Sequence, residues 1–284
     1  MTKLLAAGLW RYWRSSVTWI SLGASIFMGV LCGMNINLEE SIKVDYFLFP
    51  PLIFAVLISL SIGREFSDGT VRNKVIAGHK KGHIFFSELI LALGFCSLLW
   101  AVFAAIVGML NRPVLSRSPD DVNADVFIGL YFLSIAFAAM QVLISVLINN
   151  KAVVAIVNLL LVLAITLFAS SLHSDLRQPK FYRDPRPSYD AETGEMKMEV
   201  KLTENKNYID GIRRDVYELV VDILPGGQLI ECGAVMDEYR SAENPGQLTD
   251  EQYDSLHRHP YYSLALILVL CVSGWLAFSK KDLK

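Results

Sequence analysis

Charge is scarce in this chain, and it is missing altogether from six long stretches. Asp, Glu, Lys and Arg make up 19% of the 284 residues, against roughly 25% in an ordinary globular domain. Hydrophobic residues reach 53% and the mean hydropathy is +0.40. Together with charge-free runs long enough to span a bilayer, that skew excludes a soluble domain, a disordered chain and a coiled coil. The net charge is only −2, so there is no basic field for nucleic acid and no nucleic-acid partner is expected. Cysteine is sparse too. Cys32, Cys96, Cys232 and Cys271 form no C-x-x-C pair, which removes the familiar zinc and thioredoxin-like spacings. Cys96 and Cys271 read as small apolar residues in mid-helix. Whether Cys32 and Cys232 pair in an oxidising exterior stays open.

Catalytic signatures are also lacking. There is no G-x-x-x-x-G-K-[ST], so the chain has no P-loop for ATP. His79 and His83 stand at i, i+4 but lack the glutamate that H-E-x-x-H needs. His257-x-His259 is by itself a weak metal signal, and no G-x-S-x-G occurs. No catalytic, cofactor-binding or metal residues are therefore assigned, and the chain is not expected to be an enzyme by itself. None of the six charge-free runs contains an Asp, Glu, Lys or Arg, which disfavours an ion-coupled transporter. Gln141 and Asn158 read as hydrogen-bonding glue between helices, and Gly23-Ala24-Ser25 as a close-packing face.

What is present is a polytopic membrane pattern. A membrane helix needs about 20 mostly apolar residues. Ser15–Leu38, Tyr46–Gly63, Leu89–Asn111, Val126–Asn150, Ala152–Ser174 and Pro260–Ser279 qualify. Pro50 and Pro51 suit a helix start, so the second helix is expected to begin near Pro50. The first span follows fifteen residues that include Trp10, Arg11, Trp13 and Arg14, and no small-residue cleavage site follows it. A retained helix rather than a signal peptide is expected. Short loops on one side carry twelve Lys and Arg, and those on the other only Lys43, Arg112 and Arg117. The positive-inside rule therefore puts both termini in the cytoplasm.

Three regions follow: 1–174 with five spans, 175–259 outside the membrane, and 260–284 with the sixth span and tail. The outer segment is acidic. Pro179–Lys206 reads as a polar hairpin-like excursion. Residues 207–224 carry Ile212, Val216, Leu219, Val220, Ile223 and Leu224 at helical spacing, so an amphipathic helix is expected to pack on the outer ends of the spans and to end at Pro225-Gly226-Gly227.

The most informative stretch joins spans two and three: Gly63-Arg64-Glu65-Phe66-Ser67-Asp68-Gly69-Thr70-Val71-Arg72-Asn73-Lys74-Val75-Ile76-Ala77-Gly78-His79. It reads as a short helix at the membrane face. Ser67 or Asp68 can cap its start, and Gly78 suits the left-handed position after its end. Val71, Val75 and Ile76 form a small apolar stripe. A capped amphipathic helix on a chain with no engine suits docking to a partner.

The run Gly63–Lys74 resembles the loop between the second and third helices of ABC-2 family permeases, the membrane halves of bacterial ATP-driven exporters, where it reads roughly G-[KR]-E-x-x-x-G-T-[IVL]-[RK]-[ND]-K. Leu4–Thr18, with Trp10, Arg11, Trp13 and Arg14, is similar to that family's interfacial elbow helix. Phe278-Ser279-Lys280-Lys281-Asp282-Leu283-Lys284 resembles its closing motif, and Leu224-Pro225-Gly226-Gly227-Gln228 the L-P-x-G-Q of relatives with a large outer loop.

The resemblance implies an all-α fold of six transmembrane helices, an elbow and a coupling helix at 63–79 that sits on a separate ABC ATPase. It implies a second permease subunit, identical or similar, and a multi-pass place in the bacterial cell (plasma) membrane among its lipids. ATP and Mg would be held by the partner ATPase and no cofactor by this chain. Arg64 and Glu65 would anchor the helix end, Phe66 and Val71 fill an apolar notch on the ATPase, and Asp68, Arg72, Asn73 and Lys74 make polar contacts beside Gly69 and Thr70. Leu224–Gln228 is a candidate outer gate. The charge-free interior suits a peptide, lipid-like or amphipathic cargo, with antimicrobial-peptide export or immunity among the family's roles. The alternatives are a non-transporting receptor or scaffold with an outer ligand-binding segment, and an intramembrane enzyme.

Overall fold

A computed structural model describes residues 1–39, 44–110, 120–189, 196–241 and 250–281. Lys43, Arg112, Arg117 and the tail residues Asp282, Leu283 and Lys284 lie outside the described residues. The chain begins with α1 (Thr2–Arg14) and the first span α2 (Ser16–Glu39). Ser15 separates them in an extended conformation, φ −75° and ψ 127°, and its hydroxyl accepts from the Val17 N–H. The expected elbow, Leu4–Thr18, thus runs across a break, because Ser15 starts a new helix instead of continuing the old one.

A short 3-10 turn, Val44–Leu48, leads into α3 (Phe49–Ser67), with proline in its first turn as expected. The helix α4 (Thr70–Ile76) follows, then α5 (Lys81–Leu110), α6 (Asp120–Leu147) and α7 (Lys151–Leu176). Beyond the fifth span an antiparallel hairpin pairs β1 (Phe181–Tyr189) with β2 (Met196–Glu204), from Phe181 opposite Glu204 to Tyr189 opposite Met196. Two helices, α8 (Ile212–Ile223) and α9 (Pro225–Ser241), precede the last span, α10 (Asp250–Lys280). Six of these helices are long and apolar enough to cross a membrane, so the chain is an all-α polytopic membrane protein apart from its one hairpin.

Helix α6 lies at the centre. It packs against α10, α3, α5, α7 and α9, and two-thirds of its span is buried, against 17% for the last span. α10 buries only a stripe, including Leu256, His259, Ser263 and Phe278, and leaves Leu264, Leu268, Val272 and Leu276 exposed on the outside of the bundle. Polar residues stitch the interior. Asn158 on α7 donates to Ser59 on α3 (2.9 Å) and Ser145 on α6 (3.0 Å), while Gln141 donates to the Pro51 carbonyl (2.9 Å). The glue reading of both residues fits this arrangement. Gly23 meets no neighbour, and the close approach of α2 to α5 comes at Gly29 and Gly33 instead. All four cysteines are free thiols, so Cys32 and Cys232 do not pair, although both lie in one apolar cluster.

Candidate partner-docking site

One span is longer than a bilayer core is thick, and its surplus length helps to build the site. Thirty residues of α5 extend about 45 Å, against a hydrocarbon core of about 30 Å. Its first two turns, Lys81–Glu88, therefore reach past the apolar layer. Glu65, near the end of α3, comes alongside. Both carboxylates are almost fully buried, 4% exposed for Glu65 and 3% for Glu88.

Two cations neutralise them. Lys74 of α4 lies 2.8 Å from Glu65 and 2.9 Å from Glu88. Arg11 of α1 pairs with Glu65 and reaches Glu88 at 2.8 Å. Four helices thus meet in one neutral cluster of two acids and two bases. Glu88 escapes sequence reasoning because its two partners, Arg11 and Lys74, stand far off along the chain and it lies just outside the charge-free window that begins at Leu89. An acid at the edge of an apolar run is the only signal it leaves.

The cluster fixes α4. Val71 is buried at 2% exposure, and Phe66 packs edge-to-face on Phe278 with ring centroids 5.9 Å apart. Lys281 lies over the Phe66 ring at 4.6 Å and donates to the carbonyls of Val146 (2.7 Å) and Leu147 (3.0 Å), which end α6. Partial burial lowers the pKa of that ammonium. Phe66, Val71 and Lys74 thus turn inward and make their contacts within the chain, where the sequence reading had them meet a partner. Facing out are Arg64, Asp68, Thr70, Arg72, Asn73 and Ile76, the last 73% exposed.

The capping expectation needs correction as well. Neither Ser67 nor Asp68 caps α4. Helix α3 continues through Ser67, whose hydroxyl donates to the Asn149 carbonyl and accepts from the Lys151 N–H. Gly69 is the N-cap, in the left-handed region at φ +69°. At the other end Gly78 has φ +88°, its N–H donates to the Val75 carbonyl and the His79 N–H to that of Lys74. This is a Schellman closure, as expected for Gly78.

Helix α1 lies against α5 through Leu4 and Tyr12, and Tyr12 stacks on Phe95 at 4.9 Å. Burial holds the Tyr12 phenol well above its ordinary pKa, and therefore neutral. Trp10 and Trp13 are exposed, 62% and 54%, and Trp13 meets Trp19 edge-to-face. Arg14 lies over the Trp10 ring at 5.2 Å. A cavity of about 440 Å³ opens between α1 and α3, lined by Trp10, Arg11, Tyr12, Arg14, Ser61 and Arg64 among others.

Leu224–Gln228 sits at the opposite end. Leu224 ends α8, as expected, but Pro225 at once starts α9, which the sequence reading missed. Gly226 lies so close to α7 that a Cβ there would fall 2.8 Å from the Thr166 Cα. Gln228 is buried, donating to the Asp222 carbonyl and accepting from the Ser263 hydroxyl, each at 2.7 Å. The motif is a tight joint between helices. Packing of α8 also differs from expectation, because Ile212, Val216 and Leu219 are exposed while Val221 is buried.

Six apolar spans around a buried polar seam, with a charged helical junction at one end, define a multi-pass helical membrane protein. A family model described as Protein of unknown function (DUF2705) matches residues 20–182, more than half of the chain, and the chain belongs to that family. The matched part takes in the spans from α2 to α7 and all of α4. No curated protein matches the chain.

Proposed function

We propose that this chain is the transmembrane subunit of an ATP-driven exporter of the ABC-2 type, with α1 as its elbow and α4 as its coupling helix. What carries the reading is α4 itself. It is a short helix tied to two others, α3 and α5, by two buried acid–base bridges, and it turns Asp68, Thr70, Arg72, Asn73 and Ile76 outward. A force on that face passes into α3 and α5 because Lys74 grips the ends of both. ATP and Mg bind a separate ATPase, two permease subunits form a two-fold pathway, and closure of the ATPases moves the spans as rigid bodies. Arg64, Arg14 and the exposed tryptophans hold α1 at the lipid headgroups. Both termini and α4 lie in the cytoplasm of a bacterial cell, and the hairpin, α8 and α9 lie outside. The cargo is a peptide or an amphipathic or lipid-like molecule.

The test is recovery of the tagged chain from its native membrane in mild detergent, with mass spectrometry of what accompanies it and an ATPase assay. A stoichiometric ABC ATPase is expected, whose activity falls in Glu65→Ala. Absence of any nucleotide-binding subunit, even after crosslinking through residues 63–79, would overturn the proposal in favour of a non-transporting receptor or scaffold.

A further inference from the structure

At the face of the bundle opposite α4, three helices bring one imidazole and two carboxyl groups together. Asp222 is in the last turn of α8, Glu231 is in the second turn of α9, and His259 is in α10 just before Pro260. One ligand atom from each lies within 4.8 Å of the others. His259 Nε2 is 2.7 Å from Glu231 Oε2, and its Nδ1 faces Cys232 Sγ at 3.8 Å. The imidazole is 1% exposed.

The charges do not balance within the cluster. Two carboxyl groups share one imidazole. Such a nest of negative charge is stabilised by a cation.

We infer that Asp222, Glu231 and His259 bind a divalent transition-metal ion of the zinc class. An imidazole nitrogen with carboxylate oxygens suits zinc and its neighbours. Calcium takes six to eight oxygens and magnesium a near-ideal octahedron, so neither fits an imidazole-centred trio. Three protein ligands leave a fourth position for water. Ligand atoms about 2.0–2.2 Å from zinc stand about 3.3 Å apart in a tetrahedron, so the His259–Glu231 pair has to open by only about half an ångström.

The surroundings fit a built site. Cys232 faces Nδ1, which leaves Nε2 as the ligating nitrogen, and a partner of this kind orients a metal-bound imidazole. Gln228 holds the Asp222 backbone and is itself held by Ser263 on α10, so packing fixes all three helices before any ion arrives. Glu231 is 22% exposed, which gives an ion its way in. The sequence conceals the trio because its members stand on three helices, and His257, the more visible half of the H-x-H pair, faces Asp125 at 3.6 Å instead. Bound metal would staple α8 and α9 to the last span. The site goes beyond the transport proposal and does not depend on it.

The experiment uses the full chain, purified in mild detergent and stripped with a chelator. Zn²⁺ is titrated by calorimetry, and metal content is measured by plasma mass spectrometry. One Zn²⁺ per chain is expected, with a rise in Tm. Glu231→Gln and Asp222→Asn should each weaken binding more than ~10-fold, and His259→Gln should abolish it. Co²⁺ in place of Zn²⁺ should show d–d bands without a thiolate charge-transfer band. His259 is buried, so its variant can fail to fold. Glu231→Gln is isosteric and partly exposed, and it decides the matter once gel filtration shows it monodisperse. Wild-type uptake no greater than in Glu231→Gln, equal affinity in Glu231→Gln and wild type, or a thiolate band would overturn the assignment.

Discussion

Removing a base from the junction of α1, α3, α4 and α5 should cost far more than removing an acid. Lys74 stands 2.8 Å from Glu65 and 2.9 Å from Glu88. At such distances each attraction is about 6 kcal/mol gross for an effective dielectric of about 20. Desolvation consumes most of that, but in the native state the desolvation is already complete. Lys74→Met leaves two carboxylates, 4% and 3% exposed, to share Arg11 alone. Breaking a buried pair from one side costs about 3–5 kcal/mol. Glu88→Gln leaves an excess cation instead, but Lys74 and Arg11 are 19% and 35% exposed and can turn to water. Only charge-assisted hydrogen bonds are lost, about 1.5–3 kcal/mol.

The double variant Lys74→Met with Glu65→Gln returns the cluster to neutrality and should recover more than half of the Lys74→Met loss. Reversible unfolding in mixed detergent micelles of wild type, Lys74→Met, Glu65→Gln and the double variant gives the thermodynamic cycle, with Glu88→Gln measured beside it. Equal losses in Lys74→Met and Glu88→Gln, or simple additivity in the double variant, would refute the reasoning, because both outcomes require the carboxylates to reach water.

Three further outcomes are expected. Gly69→Ala meets open space but holds an L residue at φ +69°, so it should cost about 1–2 kcal/mol, seen as faster amide exchange confined to α4. Ile76→Asp alters a side chain that is 73% exposed, so it should leave Tm within about 1 °C of wild type, a surface substitution being nearly neutral, while the ATPase is lost from the pull-down. Arg14→Glu with Arg64→Glu reverses the charge of the cavity beside Trp10, so anionic phospholipid retained by the purified chain, counted by native mass spectrometry, should fall with little change in neutral lipid.

Membrane helices are legible because hydropathy and length are local properties, and all six spans fall where the charge-free runs stand. Pro50 and Gly78 are legible for a related reason: each dictates backbone geometry at its own position. Ser67 is not, since its hydroxyl is claimed by Asn149 and Lys151, more than eighty positions away. The acid–base cluster and the Asp222–Glu231–His259 trio are assembled by packing, and no spacing rule joins Arg11 to Glu88. The face of α8 shows the limit of periodicity, which finds an apolar stripe without saying what covers it. Ile212 and Val216 are exposed on the described chain, and in a bilayer protein an uncovered apolar face can rest on lipid.

The last residues of α10 have a consequence for how the protein is made. Phe278 is wedged against Phe66 and Phe85, and Lys281 closes over the end of α6. Synthesis runs from the first residue to the last, so the junction formed by α1, α3, α4 and α5 receives its final wedge only when the sixth span has been inserted. A chain stalled after five spans carries α4 without that support. The contacts that back the charged junction are thus complete only once the sixth span is in place.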